Sequence, residues 1–233
     1  MLGLFVTSPI LIPVIILVWF QDFKNPFYIA KRVGKNFKEF NMIKLRSMVV
    51  NADSTGVDST SSNDQRITKL GKVIRKFKLD ELSQLWNVLV GDMSLVGPRP
   101  NVKNETNLYT SSEKKLLSVK PGITDFSSII FSDEGDILAN KEDPDLSYNQ
   151  LIRPWKSRLG IIYIKKMNFM LDIKLILITI IAIFSKSFAL KLVNITLKKL
   201  GIGDEILEIA KREKELYPYP PPGSSEIVKK RTL

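Results

Sequence analysis

Apolar residues along this chain come in runs whose spacing changes from segment to segment. The first twenty, MLGLFVTSPILIPVIILVWF, carry no charge at all. Such a run is long enough for a membrane helix. Pro9 and Pro13 in its middle predict a bend near Ser8-Pro9, because proline removes a backbone donor and crowds the preceding turn. A bent helix can dip into one leaflet and return, provided the freed carbonyls find partners such as the Ser8 hydroxyl. The run has neither a basic leading segment nor a small-residue cleavage site, so it does not read as a secretory signal. Lys24, Lys31, Arg32, Lys35 and Lys38 follow closely, and basic residues after a membrane segment place the remainder in the cytoplasm.

Residues 26–50 read as two short strands around Gly34-Lys35, a hairpin. The stretch 51–65, NADSTGVDSTSSNDQ, reads as a mobile loop, too long for a bare connector. Over 66–79, Ile67, Leu70, Ile74 and Phe77 recur at helical spacing among Lys69, Lys72, Arg75, Lys76 and Lys78. A basic amphipathic helix of this kind suits an anionic lipid surface or a nucleic-acid backbone, or is simply a solvated face. A second helix is predicted over 80–90, ending at Gly91, followed by the rigid turn GDMSLVGPRP. Helical patterns return near 105–118, and 133–146 is acidic and irregular. Residues 147–166 mix apolar and basic positions and are predicted to lie in a membrane interface, with Trp155 at headgroup level. The apolar run 171–184 predicts a buried or interfacial helix, with a membrane-spanning helix as the lesser alternative, and 186–200 is amphipathic and basic. A short charged helix then leads into an extended YPYPPPGSS tail. The expected fold is α+β and helix-rich. It combines a re-entrant membrane helix over 1–22, a central domain over 23–185 with a small β-hairpin and interfacial amphipathic helices, and a C-terminal helix and Pro-rich tail over 186–233.

Composition prunes the chemistry. The chain has 233 residues, a formal charge of +11, no His and no Cys. That excludes a Ser-His-Asp triad, a thiol nucleophile, an imidazole base and a zinc site built on Cys or His. An enzyme here must work with carboxylates, Lys, Arg, Tyr or hydroxyls, and an oxygen-ligated metal is the kind of metal site that remains open to it. The positive charge points to an anionic partner.

The stretch 75–100, RKFKLDELSQLWNVLVGDMSLVGPRP, is the most informative. Asp80 and Glu81 at a helix start can divide labour on a phosphate, one attacking phosphorus and the other holding a divalent cation. By themselves they are also ordinary helix-start chemistry. Arg75 lies five residues before Asp80, and Arg99 is fixed between two prolines; the planar guanidinium suits phosphate oxygens. Asp92 is a third carboxylate that fits either a supporting role or a turn.

The order LDEL-x-Q-x-x-NVL-x-GDMS-x-VGPRP, followed by Pro-Gly-Ile-Thr, resembles the bacterial sugar transferases, the monotopic polyprenol-phosphate phosphoglycosyl transferases. The likeness runs from the N-terminal apolar segment through KLRSM (44–48), residues 66–100 and PGIT (121–124) to LDIKLILIT (171–179). It implies transfer of a phosphosugar from a UDP-sugar to a polyprenol phosphate such as undecaprenyl phosphate, at the cytoplasmic face of the bacterial inner membrane, initiating a lipid-linked glycan. By the same resemblance Asp80 attacks the sugar-linked phosphate and expels UMP, carrying the phosphosugar covalently. Glu81 helps bind Mg²⁺; Arg75, Arg99, Lys44 and Arg46 hold phosphate oxygens; Gln84 and Asp92 support the site; and Ser8-Pro9 matches the family's helix break. The implied partners are the two substrates and anionic membrane lipids, with no nucleic acid and with room for a homodimer. Three departures stand out. Members usually carry a basic segment before the membrane helix, whereas this chain begins within it. Where many continue with Gly-Trp and an Asn-Gly-Arg, this chain has Asp125-Phe126 and then FSDEG. Residues 186–233 extend past the family's minimal core. The alternative is a non-enzymatic basic module on a membrane or nucleic acid, in which Asp80 and Glu81 are dispensable.

Overall fold

The computed structural model describes residues 2–52 and 59–230. The chain opens with α1 (Leu2–Phe20), helical through both prolines. Pro9 cannot donate to the Phe5 carbonyl four residues back; the Ser8 hydroxyl donates to it instead, at 2.7 Å. Most of α1 is exposed, but it is tethered along its length. Gly3 lies against Leu85, while Val18 is wholly buried with Leu45 and Ile74.

The predicted hairpin forms from β1 (Phe27–Val33) and β2 (Glu39–Leu45), antiparallel, with Phe27 opposite Leu45. Helix α2 (Lys69–Lys76) is capped by Thr68, whose hydroxyl accepts from the Gly71 N–H. Gly71 must be glycine: a Cβ there would lie 1.8 Å from the Ser47 carbonyl oxygen. The single helix expected over 80–90 is two short ones, α3 (Leu79–Leu82) and α4 (Leu85–Val90). Between them the Ser83 hydroxyl donates to the Ile43 and Asp80 carbonyls, tying the break to β2. Of the predicted loop 51–65, residues 53–58 lie outside the described residues. Beyond them, Ser59 N–H donates to Asp145 and Ser62 N–H to the Gly135 carbonyl.

The two fixed turns meet as a second, parallel pair, β3 (Ser94–Val96) with β4 (Gly122–Thr124). A Cβ on Gly122 would come within 2.1 Å of the Gly97 nitrogen, so the backbones approach closer than any side chain permits. Between these strands lie α5 (Lys103–Asn107) and a 3₁₀ turn over Glu113–Ser118. After β4 comes α6 (Phe126–Ile130), started by a reciprocal cap between Asp125 and Ser128. The acidic 133–146 segment forms two short helices, α7 (Glu134–Ile137) and α8 (Pro144–Ser147). Then come α9 (Arg153–Lys166), α10 (Phe169–Phe184), α11 (Lys186–Lys199) and α12 (Asp204–Lys211).

The main core gathers Phe126, Ile130, Trp155, Leu175, Val193 and Leu207, so α11 and α12 pack into the same apolar cluster as α6, α9 and α10. Trp155 is not at a surface as expected. It is fully buried, stacked on Tyr219 of the tail at 4.3 Å, with the Arg158 guanidinium over that ring. The Pro-rich tail is thus folded back on α9, where Arg158 donates to the Pro220 carbonyl and Tyr219 N–H to that of Gln150. Beneath it, Arg153 and Glu113 form a buried two-pronged ion pair at 2.9 and 2.6 Å. Replacing Glu113 by Gln would leave a buried guanidinium without its anion. The expected cost is about 3–5 kcal/mol, to be read as a large fall in the chemical-denaturation midpoint.

Candidate active site

Four separate stretches converge on the start of α3. Asp80 and Glu81 occupy its first turn, entered through Lys78 in the left-handed conformation (φ 53°). Lys44, at the end of β2, brings its ammonium to 4.0 Å from Asp80 Oδ2, a charge contact rather than a hydrogen bond. Arg75, from the last turn of α2, is fixed by its Nε–H donating to Ser47 Oγ at 2.9 Å. Arg99, between Pro98 and Pro100, donates from Nη1 to the Ile123 carbonyl and meets Glu81 Oε1 with Nη2 at 2.9 Å. The parallel β3–β4 pair supplies the rigidity here: Gly97 N–H donates to Thr124 O and Gly122 N–H to Pro98 O, on either side of the arginine.

These groups stand largely out of water, and their titration shows it. Burial raises the Asp80 carboxyl above its ordinary range; Lys44 opposes this without overcoming it, and the Glu81 charge adds to the rise. Burial would raise Glu81 too, but Arg99, with help from Lys78 and Lys44, holds it down at about 2. Desolvation lowers Lys44, with Asp80 opposing, and lowers Arg75. Arg99 is raised because Glu81 outweighs its burial. For stability the signs are opposite. Glu81 contributes above the ordinary carboxylate range, and its contribution is lost as pH falls toward about 2. Asp80 weakens the fold as pH rises through its raised value.

The remaining expected residues divide. Arg46 is not a free phosphate ligand. Both ends of its fork are taken by Asp22 at 2.6 Å, and its Nη2 also reaches the Val18 carbonyl, so it fastens the end of α1 to β2. Asp92 is exposed beyond α4 and does not line the cleft at the cluster. Gln84 is wholly buried one turn after Asp80, and neither amide atom has a hydrogen-bond partner among the described residues. The sequence reading missed Ser47, Asp125 and Lys78, although Ser47 lies inside the KLRSM stretch. Asp125 is buried at the cap of α6, and Lys78 donates to the Ser128 carbonyl at 3.3 Å.

For a divalent cation, no group of three or more acidic side chains comes together among the described residues. The donor set therefore fits a cation held by one ionised carboxylate, substrate phosphates and water, as Mg²⁺ commonly is, with Glu81 as the carboxylate. A cleft of about 1070 Å³ opens over the cluster, lined by Lys44, Arg75, Asp80, Glu81 and Arg99. Its chemistry is that of phosphate: cations in fixed geometry around two carboxylates, one of them set apart with a raised pKa.

The bacterial sugar transferase family matches residues 1–186. This chain belongs to that family. The galactosyl transferase CpsE of Streptococcus agalactiae serotype III is 39% identical over 171 residues, 69% of this chain and 35% of its own length. The UDP-N-acetylgalactosamine-undecaprenyl-phosphate N-acetylgalactosaminephosphotransferase of Aeromonas hydrophila is 31% identical over 153 residues, 64% of this chain and 36% of its own. The UDP-galactose-lipid carrier transferase of Erwinia amylovora is 38% identical over 133 residues, 49% and 28% respectively. The chain thus spans only about a third of the length of these relatives. The family match ends at residue 186, where α11 begins.

The site makes a prediction independent of turnover. Lys44→Met removes the cation that restrains the Asp80 carboxyl, so Asp80 should titrate at still higher pH than in the parent. A carbon-13 NMR titration of labelled aspartate reads this directly; an unchanged or lowered value would mean Lys44 does not act on Asp80.

Proposed function

We propose that this sugar transferase moves a phosphosugar from a UDP-sugar to a polyprenol phosphate, undecaprenyl phosphate in the simplest case, through a covalent intermediate on Asp80. The observation that carries this reading is the unequal pair: Glu81 is closed onto Arg99, while Asp80 has only a 4.0 Å charge contact and stays available to attack. The donor diphosphate enters among Lys44, Arg75 and Arg99, which neutralise its oxygens in place. An Asp80 carboxylate oxygen attacks the sugar-linked phosphorus. The bond from that phosphorus to the bridging oxygen breaks, and UMP leaves with the electron pair. An oxygen of the lipid phosphate then attacks the same phosphorus, the bond to Asp80 breaks, and the carboxylate returns as the polyprenyl diphosphosugar departs. Both steps need positioning and charge neutralisation more than a proton relay, which agrees with a chain that has no histidine. Mg²⁺ held by Glu81 and the diphosphate would neutralise charge building on the phosphate oxygens.

The lipid substrate confines the reaction to a membrane. Helix α1 is long and apolar enough to cross one, over Gly3–Phe20. Its contacts favour a re-entrant course instead, because Gly3 near one end and Val18 near the other both touch the same domain. A helix leaving the domain along the membrane normal would touch it at one end alone. On this reading Ser8-Pro9 marks the bend, the basic residues after Phe20 keep the cleft at the cytoplasmic face of the inner membrane, and anionic lipids meet the lysine-rich surface. A second copy of the chain is not required by the mechanism.

Protein in phospholipid nanodiscs, given UDP-sugars, undecaprenyl phosphate and Mg²⁺, should release UMP. Asp80→Asn should lower kcat by at least about 10³-fold and Arg99→Ala by about 10²–10³-fold. Without the acceptor, intact mass should show one phosphosugar added to the parent and none to Asp80→Asn. Normal turnover in Asp80→Asn would overturn the covalent route.

A further inference from the structure

The cleft has a second wall, opposite the cluster, that phosphate chemistry does not use. It is built from residues 59–62, the 131–136 segment and the start of α9. Ser62 N–H donates to Gly135 O at 2.8 Å, and a Cβ on Gly135 would lie 3.1 Å from that nitrogen, so the two strips fit closely. On this wall Lys156 of α9 forms an ion pair with Glu134, and its ammonium lies 5.4 Å from the centre of the Tyr148 ring. All three side chains line the cleft. Asp125 links the two sides, being within electrostatic reach of both Arg99 and Lys156.

The wall is held from behind by the C-terminal segment. Asp133 Oδ2 receives Lys186 Nζ at 2.5 Å and Arg212 Nη2 at 3.4 Å, and the Arg212 guanidinium covers the Phe131 ring. Both cations lie at or beyond the end of the family match. The segment that carries Glu134 is therefore held by residues at the end of the family match and beyond it.

Charge decides what can meet this wall. A diphosphate is drawn to Lys44, Arg75 and Arg99, whereas the cations of this wall are already matched, Lys156 to Glu134 and both Lys186 and Arg212 to Asp133, and offer it no surplus positive charge. A neutral part of the donor suits this wall. A glycosyl group presents hydroxyls around a ring and is met by acceptors, donors and an aromatic edge together. The wall offers a carboxylate acceptor, an ammonium donor and a tyrosine ring. Resting on the transfer reaction above, we propose that Glu134, Lys156 and Tyr148 form the subsite for the donor's sugar, and that Glu134 and Lys156 determine which sugar is accepted.

The test uses Asp80→Asn protein in nanodiscs with Mg²⁺, so that donor binds without reacting. Calorimetry compares UDP with UDP-galactose and UDP-N-acetylgalactosamine. Adding Glu134→Gln or Lys156→Met should weaken at least one sugar nucleotide by about 10- to 100-fold while UDP stays within about twofold. If either variant melts early, Glu134→Asp and Lys156→Arg keep the ion pair but move its atoms, and the preference between the two sugars should still change. Equal losses for UDP and its sugars would make the wall a nucleotide contact, and unchanged binding throughout would remove it from the site; either overturns the proposal. Failure of the parent to bind UDP or either UDP-sugar would instead defeat the transferase reading, and the subsite with it.

Discussion

Two neighbouring carboxylates withdrawn from water cannot both stay ionised unless cations are held beside them, and much of this structure is arranged around that constraint. The cations cannot come from the same helical turn. Lys44 arrives on a strand, Arg75 at the end of a helix and Arg99 in a proline-locked turn, and each arginine has its own hydrogen-bonded anchor. A close backbone approach, Gly97 against Gly122, lets the Arg99 turn rest on β4. Loosening any anchor would leave a desolvated charge with a poorer partner, which costs far more than losing an exposed ion pair.

The same strand that carries Lys44 also leads into the link to the apolar helix α1. Leu45 turns inward to pack with Val18 and Ile74, and Arg46 closes on Asp22 just past the end of α1. Three consecutive residues thus serve the cluster, the apolar contact and the helix anchor. Lys44 and Leu45, neighbours in β2, leave the strand on opposite sides, and Arg46 follows directly after its end. The position of the apolar helix and the position of the ammonium beside Asp80 are therefore fixed by one short piece of backbone.

Several features were legible in the chain because they depend on local chemistry. The uncharged helical run, the hairpin about Gly34, the basic helix within 66–79 and the Asp80-Glu81 pair between two arginines are all short-range signals. Others were misread because their partners lie far away in sequence. Trp155, flanked by basic residues, has the pattern of an interfacial helix, yet Tyr219 of the tail covers it. Arg46 looked like a phosphate ligand beside Lys44 until Asp22 is seen to occupy it. Asp92 shares a Gly- and Pro-rich stretch with Arg99 but is exposed and does not line the cleft.

The sequence alone determined which groups can do chemistry here: no imidazole or thiol, two adjacent acids, arginines at fixed spacing, and an apolar leading segment. It also determined the local backbone, since prolines, glycines and caps act within a few residues. Tertiary structure alone decided which acid is closed onto an arginine and which stays available, and which cations are spent on anchoring. It also brought the 133–136 segment and the C-terminal region to the wall of the cleft. Those outcomes turn on desolvation and on charges brought together from distant parts of the chain, and neither quantity exists until the chain has folded.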